Sequence, residues 1–553
     1  MRKTLLLFAL GLTFSFVQAQ KHVEWLNDAV FYQIYPSSFQ DSDENGIGDL
    51  KGIESRLDYI KSVGVNTIWL NPIFKSAFKD GGYDVIDYYL IDPRFGTNTQ
   101  LVELAEEVHR KGMHIVLDLV AGHTSDQSPW FKQSMEADKN MEYSDYFIWP
   151  SFKPDNMPGA DGSRFVKSNA PRANYYIKNF FDSQPALNYG YAHPNPDYKW
   201  EQSVDAPGPQ AVRQELKNII TFWMDKGIDG FRVDMAFSLV KGDDQDKSAT
   251  IALWKEMTAW YREKFPLGVL VAEWFDPKQS IEGGFDIDFI RPGELLYSAG
   301  RRQAAPAGIY FSKAGTGNPT SWLQIFKDQY AGVADKGYIS VPTGNHDLQR
   351  MSTTERNSNA ELNVIMTFML TQAGIPFIYY GDEIGMKNLP GLPSIEGSMG
   401  RSSSRTPMQW DDGVNAGFST APADKLYLPL DPDPNRPTAA KQQSDPNSVL
   451  NFVRKLLKLR ASSSALGNNG KWELLSDLNQ PYPMVYMRTY GNEKYIVALN
   501  PSDKKVEAKI LAMNANRVNY VFGTTEKCNY KSDKSGDTVK LPPVSAAIFK
   551  LEQ

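Results

Sequence analysis

Three acids, Asp234, Glu273 and Asp347, each close a short run of apolar or backbone-constraining residues: Gly-Phe-Arg-Val-Asp, Val-Leu-Val-Ala-Glu and Gly-Asn-His-Asp. Paired carboxylates suit glycosidic-bond cleavage, because one group protonates the leaving oxygen while the other faces the developing oxocarbenium carbon. A pair about 5–5.5 Å apart implies retention through a covalent glycosyl-enzyme. Arg232 lies two residues before Asp234, so on a strand both side chains point the same way. A cation there favours the ionised carboxylate that a nucleophile needs. Glu273 is followed by Trp274, an apolar neighbour suited to a general acid.

The elements that must position these groups recur along the chain. Short β-branched or aromatic runs occur at Ala29–Pro36, Thr67–Pro72, His114–Val120, Gly230–Met235, Gly268–Trp274, Phe285–Ile290, Tyr338–Asn345 and Pro376–Glu383. Helical spacing separates them, as in Leu101–Lys111 and Val212–Lys226, with Gly112 and Gly227 as C-terminal stops. Eight strand–helix units predict an α/β protein, a closed (β/α)8 TIM barrel. Polar residues then cluster at the strand ends: Asn71, Asp118, His123, Arg232, Asp234, Glu273, His346, Asp347, Asp382 and Glu383. In a barrel those ends converge on the face where active sites sit.

Two stretches break the repeat. Residues 122–205, rich in Pro, Asn, Tyr and Phe, read as a subdomain inserted after strand 3. The barrel then comprises 20–121 and 206–460, with Pro429–Pro446 a loop before a last helix, Ser448–Arg460. Residues 461–553 read as a C-terminal antiparallel β-sandwich, with strands at Met484–Tyr490, Lys494–Asn500, Lys505–Leu511 and Ala546–Leu551. Residues 1–19 read as a signal peptide: Arg2 and Lys3, an apolar run from Leu5 to Val17, and a small residue at Ala19. The expectation is an exported protein, periplasmic or secreted.

Taken together, these segments resemble the α-amylase family, glycoside hydrolase family 13, in its oligo-1,6-glucosidase, α-glucosidase and trehalose synthase branch. The similarity lies in Gln-Ile-Tyr-Pro (33–36), Gly-Tyr-Asp-Val (82–85), Asp-Pro-Arg-Phe-Gly-Thr (92–97) and Asp-Leu-Val-Ala-Gly-His-Thr-Ser-Asp (118–126). It continues in Gly-Phe-Arg-Val-Asp (230–234), Asn-His-Asp (345–347), Phe-Ile-Tyr-Tyr-Gly-Asp-Glu (377–383) and Arg-Thr-Pro-Met-Gln-Trp (405–410). The resemblance implies Asp234 as nucleophile, Glu273 as acid/base and Asp347 as the third carboxylate. It places Arg232, His123 and His346 around the reacting sugar, with Tyr83 stacked on its apolar face. It further implies that Asp80 meets Arg405, closing one end of the site and restricting action to a non-reducing terminal glucose. The implied activity is a retaining exo-α-glucosidase on α-glucan oligosaccharides, with α-1,4 linkages favoured. The alternatives are a trehalose synthase or other transglycosylating isomerase, an oligo-1,6-glucosidase, an endo-acting α-amylase, and a catalytically dead binding subunit, against which the three retained acids argue.

Some residues depart from the branch. Gly122 stands where it usually has Asn, a calcium ligand in many α-amylases, so no calcium is expected there. Ala186 replaces the acid of a Gln-Pro-Asp-Leu-Asn signature, and Met235 follows the nucleophile in place of the Val or the Ala/Thr that go with linkage preference. A separate structural Ca2+ (or Mg2+) is expected at Asp41, Asp43, Asn45 and Asp49, where oxygen-bearing residues recur with glycines between them. The Ile47 carbonyl is added by the resemblance.

Composition excludes other classes. The 553 residues carry 59 Lys+Arg against 65 Asp+Glu, a net charge of −6, without the basic footprint of a nucleic-acid binder. Cys528 is the single cysteine, which excludes an internal disulfide framework. No phosphate-binding glycine loop or Ser-His-Asp arrangement is present, and no organic cofactor is expected. After the leader no stretch reaches about eighteen apolar residues, so no membrane span is expected. Trp130, Phe131, Trp149 and Tyr189 read mostly as core, and Lys241–Lys247 as a solvated loop. A monomer or homodimer is expected.

Overall fold

The computed structural model describes residues 23–155, 163–296, 308–533 and 536–552. The expected leader lies outside them. Eight parallel strands form one sheet: β1 (Phe31–Ile34), β2 (Thr67–Leu70), β3 (His114–Val120), β4 (Gly230–Asp234), β5 (Val269–Ala272), β6 (Ile287–Phe289), β7 (Tyr338–Ser340) and β8 (Phe377–Tyr379). Each of the eight expected runs contains one of them. Their order is β7-β6-β5-β4-β3-β2-β1-β8. The two ends are joined by Ile375 N donating to Ile339 O (3.0 Å) and Thr343 N donating to Phe377 O (3.1 Å), which brings the sheet round into a barrel.

The interior follows from the two-residue period of a strand. Phe31, Trp69, Val116, Val271 and Phe377 pack inside, with Phe31 and Phe377 stacked at 4.2 Å. Two residues further along, the same faces carry Gln33, Asn71, Asp118 and Glu273. The barrel is therefore a hydrophobic plug at one end and a polar floor at the other. The alternate residues, among them Tyr32, Ile68 and Leu117, pack outward beneath the helices.

Local signals set the helices. Thr97 and Gln100 form a capping box that starts Asn98–Arg110, and left-handed glycines end the connections at Gly112 (φ 68°) and Gly227 (φ 90°). Ser448 caps the helix Val449–Ala461. The expected 429–446 loop contains a short helix, Ala439–Ser444, because the Thr438 hydroxyl accepts the Lys441 N–H and caps its start. The helix Asn359–Thr371 is buried along its length, and its C-terminal carbonyls are met by two arginines from later in the chain. Arg460 donates to Leu370 O (2.7 Å) and Gly374 O (2.8 Å), and Arg488 to Gln372 O (2.6 Å).

Between β3 and the helix Pro207–Met224 run a short helix, Pro129–Ser134, and a hairpin, Phe165–Lys167 with Tyr175–Ile177. Phe131 and Trp149 stack there at 5.2 Å, and Tyr189 is wholly buried, so these aromatics are packing residues. Lys241 is not solvated as expected: it is buried, and its Nζ donates to Ser238 O (2.7 Å).

The C-terminal strands form a five-stranded antiparallel sheet, in the order 471–474, 484–490, 493–500, 545–552 and 517–523. A three-stranded sheet, 506–510, 536–541 and 529–533, faces it. Val485, Ile496, Val539 and Phe549 fill the space between.

Candidate active site

The polar ends of β3 to β5 meet around one guanidinium. Arg232 Nη1 lies 2.8 Å from Asp118 Oδ1 and 2.9 Å from Asp234 Oδ1, while its Nη2 lies 2.8 Å from Glu273 Oε2. Asp234 and Glu273 are thus bridged by one cation. The Met235 backbone N–H donates to Glu273 Oε2 (3.0 Å), and Met235 is held at φ 43° directly after Asp234.

Three carboxylates around one guanidinium leave excess negative charge in a buried site. Burial first, then repulsion from Glu273, pushes Asp234 well above the ordinary carboxylate range, with Arg232 opposing. The expectation that Arg232 alone keeps Asp234 ionised is corrected: its charge is divided among three acids, so it only opposes the rise. Asp118 is pushed to about 6 by burial, against Arg232 and the Tyr83 hydroxyl. Trp274 does not cover the Glu273 carboxyl: the next residue along a strand faces the other side, and its indole N–H donates to Gln279 (2.9 Å) in the helix layer.

A second group surrounds His346. The Tyr83 hydroxyl donates to Asp118 Oδ2 (2.9 Å) and lies 2.8 Å from His346 Nε2. Gln33 and Asn71 amides meet His346 Nδ1 at 2.9 and 3.1 Å. Amide donors on Nδ1 place the ring proton on Nε2. Tyr83 and His346 stack at 5.3 Å. Burial holds His346 neutral. Burial opposes ionisation of Asp347 too, but its carboxyl is held below the usual range by Arg401 (2.7 Å) and Arg405 (3.2 Å).

The expected Asp80–Arg405 pair is not the one formed. Arg401 Nη2 lies 2.7 Å from Asp80 Oδ1, so Arg401 bridges Asp80 and Asp347. Arg405 lies deeper, 1% exposed, with Nε donating to His346 O (2.8 Å) and its plane over Tyr35. A 3-10 turn over Arg401–Ser404 brings both arginines to Asp347. Their four-residue spacing was the available signal for Arg401. Gln184 was also missed, and its amide donates to Asp80 Oδ2 (2.9 Å).

These groups line a cavity of about 230 Å3. Asp80, Tyr83, His123, Asp234, Glu273, Asp347 and Arg401 form its polar part, and Phe180, Met235, Phe237, Phe275 and Arg291 form the rest. Arg232, His346 and Arg405 sit behind the lining. His123 reaches it with both ring nitrogens engaged: Nε2 donates to Tyr83 O (3.1 Å) and Nδ1 accepts from Asn179 (3.2 Å). Burial lowers His123 to about 3. Gly122 is explained by the same amide, since a Cβ there would lie 2.6 Å from Asn179 Nδ2.

The candidate cation residues lie apart from this cavity. Asp41, Asp43 and Asp49 bring ligand atoms within 4.8 Å of one another. Gly46 N–H donates to Asp41 Oδ2 (2.8 Å) and Asn45 Oδ1 accepts from Ile47 N (2.8 Å), which folds the loop round them. Burial and the Asp41 contact raise Asp43, the sign of acids gathered without enough positive charge. An all-oxygen set of this kind fits a hard cation. Among the described residues no helix is long and apolar enough to cross a membrane.

Comparison with known proteins gives a consistent outcome. The profile described as "Alpha amylase, catalytic domain" matches residues 33–469. The chain is 30% identical to an oligo-1,6-glucosidase from Parageobacillus thermoglucosidasius, over 95% of this chain and 99% of that one. It is 33% identical to an α-glucosidase from Culex pipiens, over 79% of this chain and 75% of that one. Among solved structures, the trehalulose synthase from Pseudomonas mesoacidophila MX-45 superposes with a TM-score of 0.79 at 26% identity, covering 96% of this chain and 99% of the other. An isomaltulose synthase from Klebsiella sp. LX3 does so with 0.78 at 27% identity, covering 96% and 99%.

Proposed function

Because this chain belongs to the α-amylase family and its curated relatives are glucosidases, we propose that it is a retaining, exo-acting α-glucosidase with α-1,4 preference. The observation that carries the reading is the single guanidinium shared by Asp234 and Glu273 on one side of one cavity. Asp234 attacks the anomeric carbon. Glu273 gives its proton to the leaving glycosidic oxygen, and a covalent glucosyl-enzyme forms. Glu273 then takes a proton from water, whose oxygen displaces Asp234 and releases glucose. Glu273 Oε2 already accepts from Arg232 and Met235 N, which leaves Oε1 to carry the mobile proton.

Asp347, Asp80 and Arg401 are proposed to hold the hydroxyls of the terminal glucose. The Asp80–Arg401–Asp347 bridge closes the polar end of the cavity, which supports exo-action. A charged chain of this kind gives directional bonds to sugar hydroxyls. Tyr83 would stack on the sugar face, and Arg232, His346, Arg405 and His123 would set the positions of the lining groups. A Ca2+ or Mg2+ held by Asp41, Asp43, Asn45, Asp49 and the Ile47 carbonyl would stabilise the loop that enters the helix Leu50–Ser55. We also propose that the protein acts after export, on the strength of residues 1–19, and cell fractionation tests that.

A second reading has its own support: the trehalulose and isomaltulose synthases share the whole fold. In that reading a sugar, not water, resolves the glucosyl-enzyme. Product analysis on maltose, isomaltose, trehalose, sucrose and soluble starch separates the two. Glucose as the main product from short α-1,4 oligosaccharides supports the first, and isomerised disaccharides would replace it with the second. Internal cuts in starch would refute exo-action.

A further inference from the structure

Behind Glu273, on the side of the sheet turned away from the cavity, lies a carboxylate that the reaction above does not use. Asp288 is the middle residue of β6 and stands opposite Ala272 of β5. Its neighbours Ile287 and Phe289 pack inside the barrel, so the Asp288 side chain points outward, under the helix Pro277–Glu282, where it is fully buried. Oδ1 accepts from the backbone N–H groups of Trp274 (3.1 Å), Phe275 (3.2 Å) and Phe289 (2.8 Å). Oδ2 accepts from the Ser280 hydroxyl (2.9 Å). Each of these donors is neutral, and burial pushes the group to about 7.

A buried carboxyl without a cation is costly, so what its bonds hold is informative. Trp274 and Phe275 are the two residues directly after Glu273. Phe275 is fixed at φ 65°, a left-handed conformation that strains a non-glycine residue and persists only where its surroundings impose it. On its other side Glu273 is held to β4, its N–H on Val233 O (3.0 Å) and its carbonyl accepting from Ala236 N (3.2 Å). The acid is therefore gripped from both neighbouring staves, by the main chain of one and by a single side chain of the other.

We infer that Asp288 is a positioning residue for Glu273, fixing the 274–275 turn and with it the aim of the carboxyl at the leaving oxygen. The inference rests on Glu273 being the general acid. A shift of about 1 Å in such a group costs about a hundredfold in rate. The loss should fall on substrates that need protonation and spare those that do not.

The test compares wild type, Asp288→Ala, Asp288→Asn and Glu273→Gln on maltose and on aryl α-glucosides of graded leaving-group acidity. Asp288→Ala should lose about 10–100-fold in kcat/KM on maltose and less than about 3-fold on the 2,4-dinitrophenyl glucoside. Asparagine keeps an acceptor for the three N–H groups, so Asp288→Asn should stay within about 3-fold on both. The ratio of the two rates does not depend on how much of a preparation is folded, so destabilisation alone cannot imitate the result. Equal losses on both substrates, or an Asn variant as damaged as the Ala variant, would overturn the inference. If Glu273→Gln itself lacks the leaving-group dependence, the acid assignment fails. If it has that dependence and Asp288→Ala does not, only the inference about Asp288 fails.

Discussion

Replacing Glu273 by glutamine tests the electrostatics of the carboxylate pair. The change removes a charge that shares the Arg232 guanidinium with Asp234 and that raises Asp234 second only to burial. Two unit charges about 4 Å apart at an effective dielectric of about 20 repel by about 4 kcal/mol, close to three pH units. With Arg232 opposing that repulsion, a downward shift of about one to two units is expected for Asp234. A nucleophile acts ionised, so the acid limb of kcat/KM follows its titration and should move to lower pH by that amount. α-Glucosyl fluoride is the substrate of choice, because fluoride leaves without protonation and kcat/KM reports only formation of the glucosyl-enzyme. An acid limb that stays in place, or moves upward, would refute the shared-cation reasoning.

The same imbalance makes Asp234→Asn inactive yet more stable. A carboxyl raised in the folded state binds more protons there than when unfolded, so it lowers stability as pH rises from its unfolded value towards its folded one. Calorimetry should give a Tm several degrees above wild type at pH 7, with the gain disappearing near pH 4. Arg401→Gln leaves Asp80 and Asp347 without their bridge and should cost more than about a hundredfold in kcat/KM and about 3–5 kcal/mol of stability, read by kinetics and denaturant unfolding. Chelation with EDTA should lower the Tm and added Ca2+ restore it. Asp43→Ala should abolish that response with little change in kcat.

The barrel was legible because each stave is a short apolar run, and because polar residues crowd its final positions whatever the packing around it. Asp234, Glu273 and Asp347 were singled out that way, and the structure brings all three to one cavity. What sequence did not disclose depends on side chains bending out of register. Arg401 and Arg405 differ by four residues, and only the 3-10 turn decides which one reaches Asp80. Trp274 looked like cover for Glu273 by adjacency, although adjacent strand residues face opposite ways. Lys241 sits in a charged run whose composition suggests solvent, yet the space beside Asn179 and Ser238 draws it in. In the C-terminal domain the strands 517–523 and 529–533 carry mixed or exposed patterns, which composition cannot separate from loops.

The two arginines that close the buried helix Asn359–Thr371 set an order on assembly. Its last carbonyls stay unpaired until residues 460 and 488 have been synthesised, because their donors lie about 90 and 116 positions downstream. A nascent chain that has already made all eight staves therefore still lacks the groups that seal its interior. The last barrel helix and the first strands of the sandwich together latch the catalytic half, and stop codons placed ahead of residue 460 should yield chains that proteases remove.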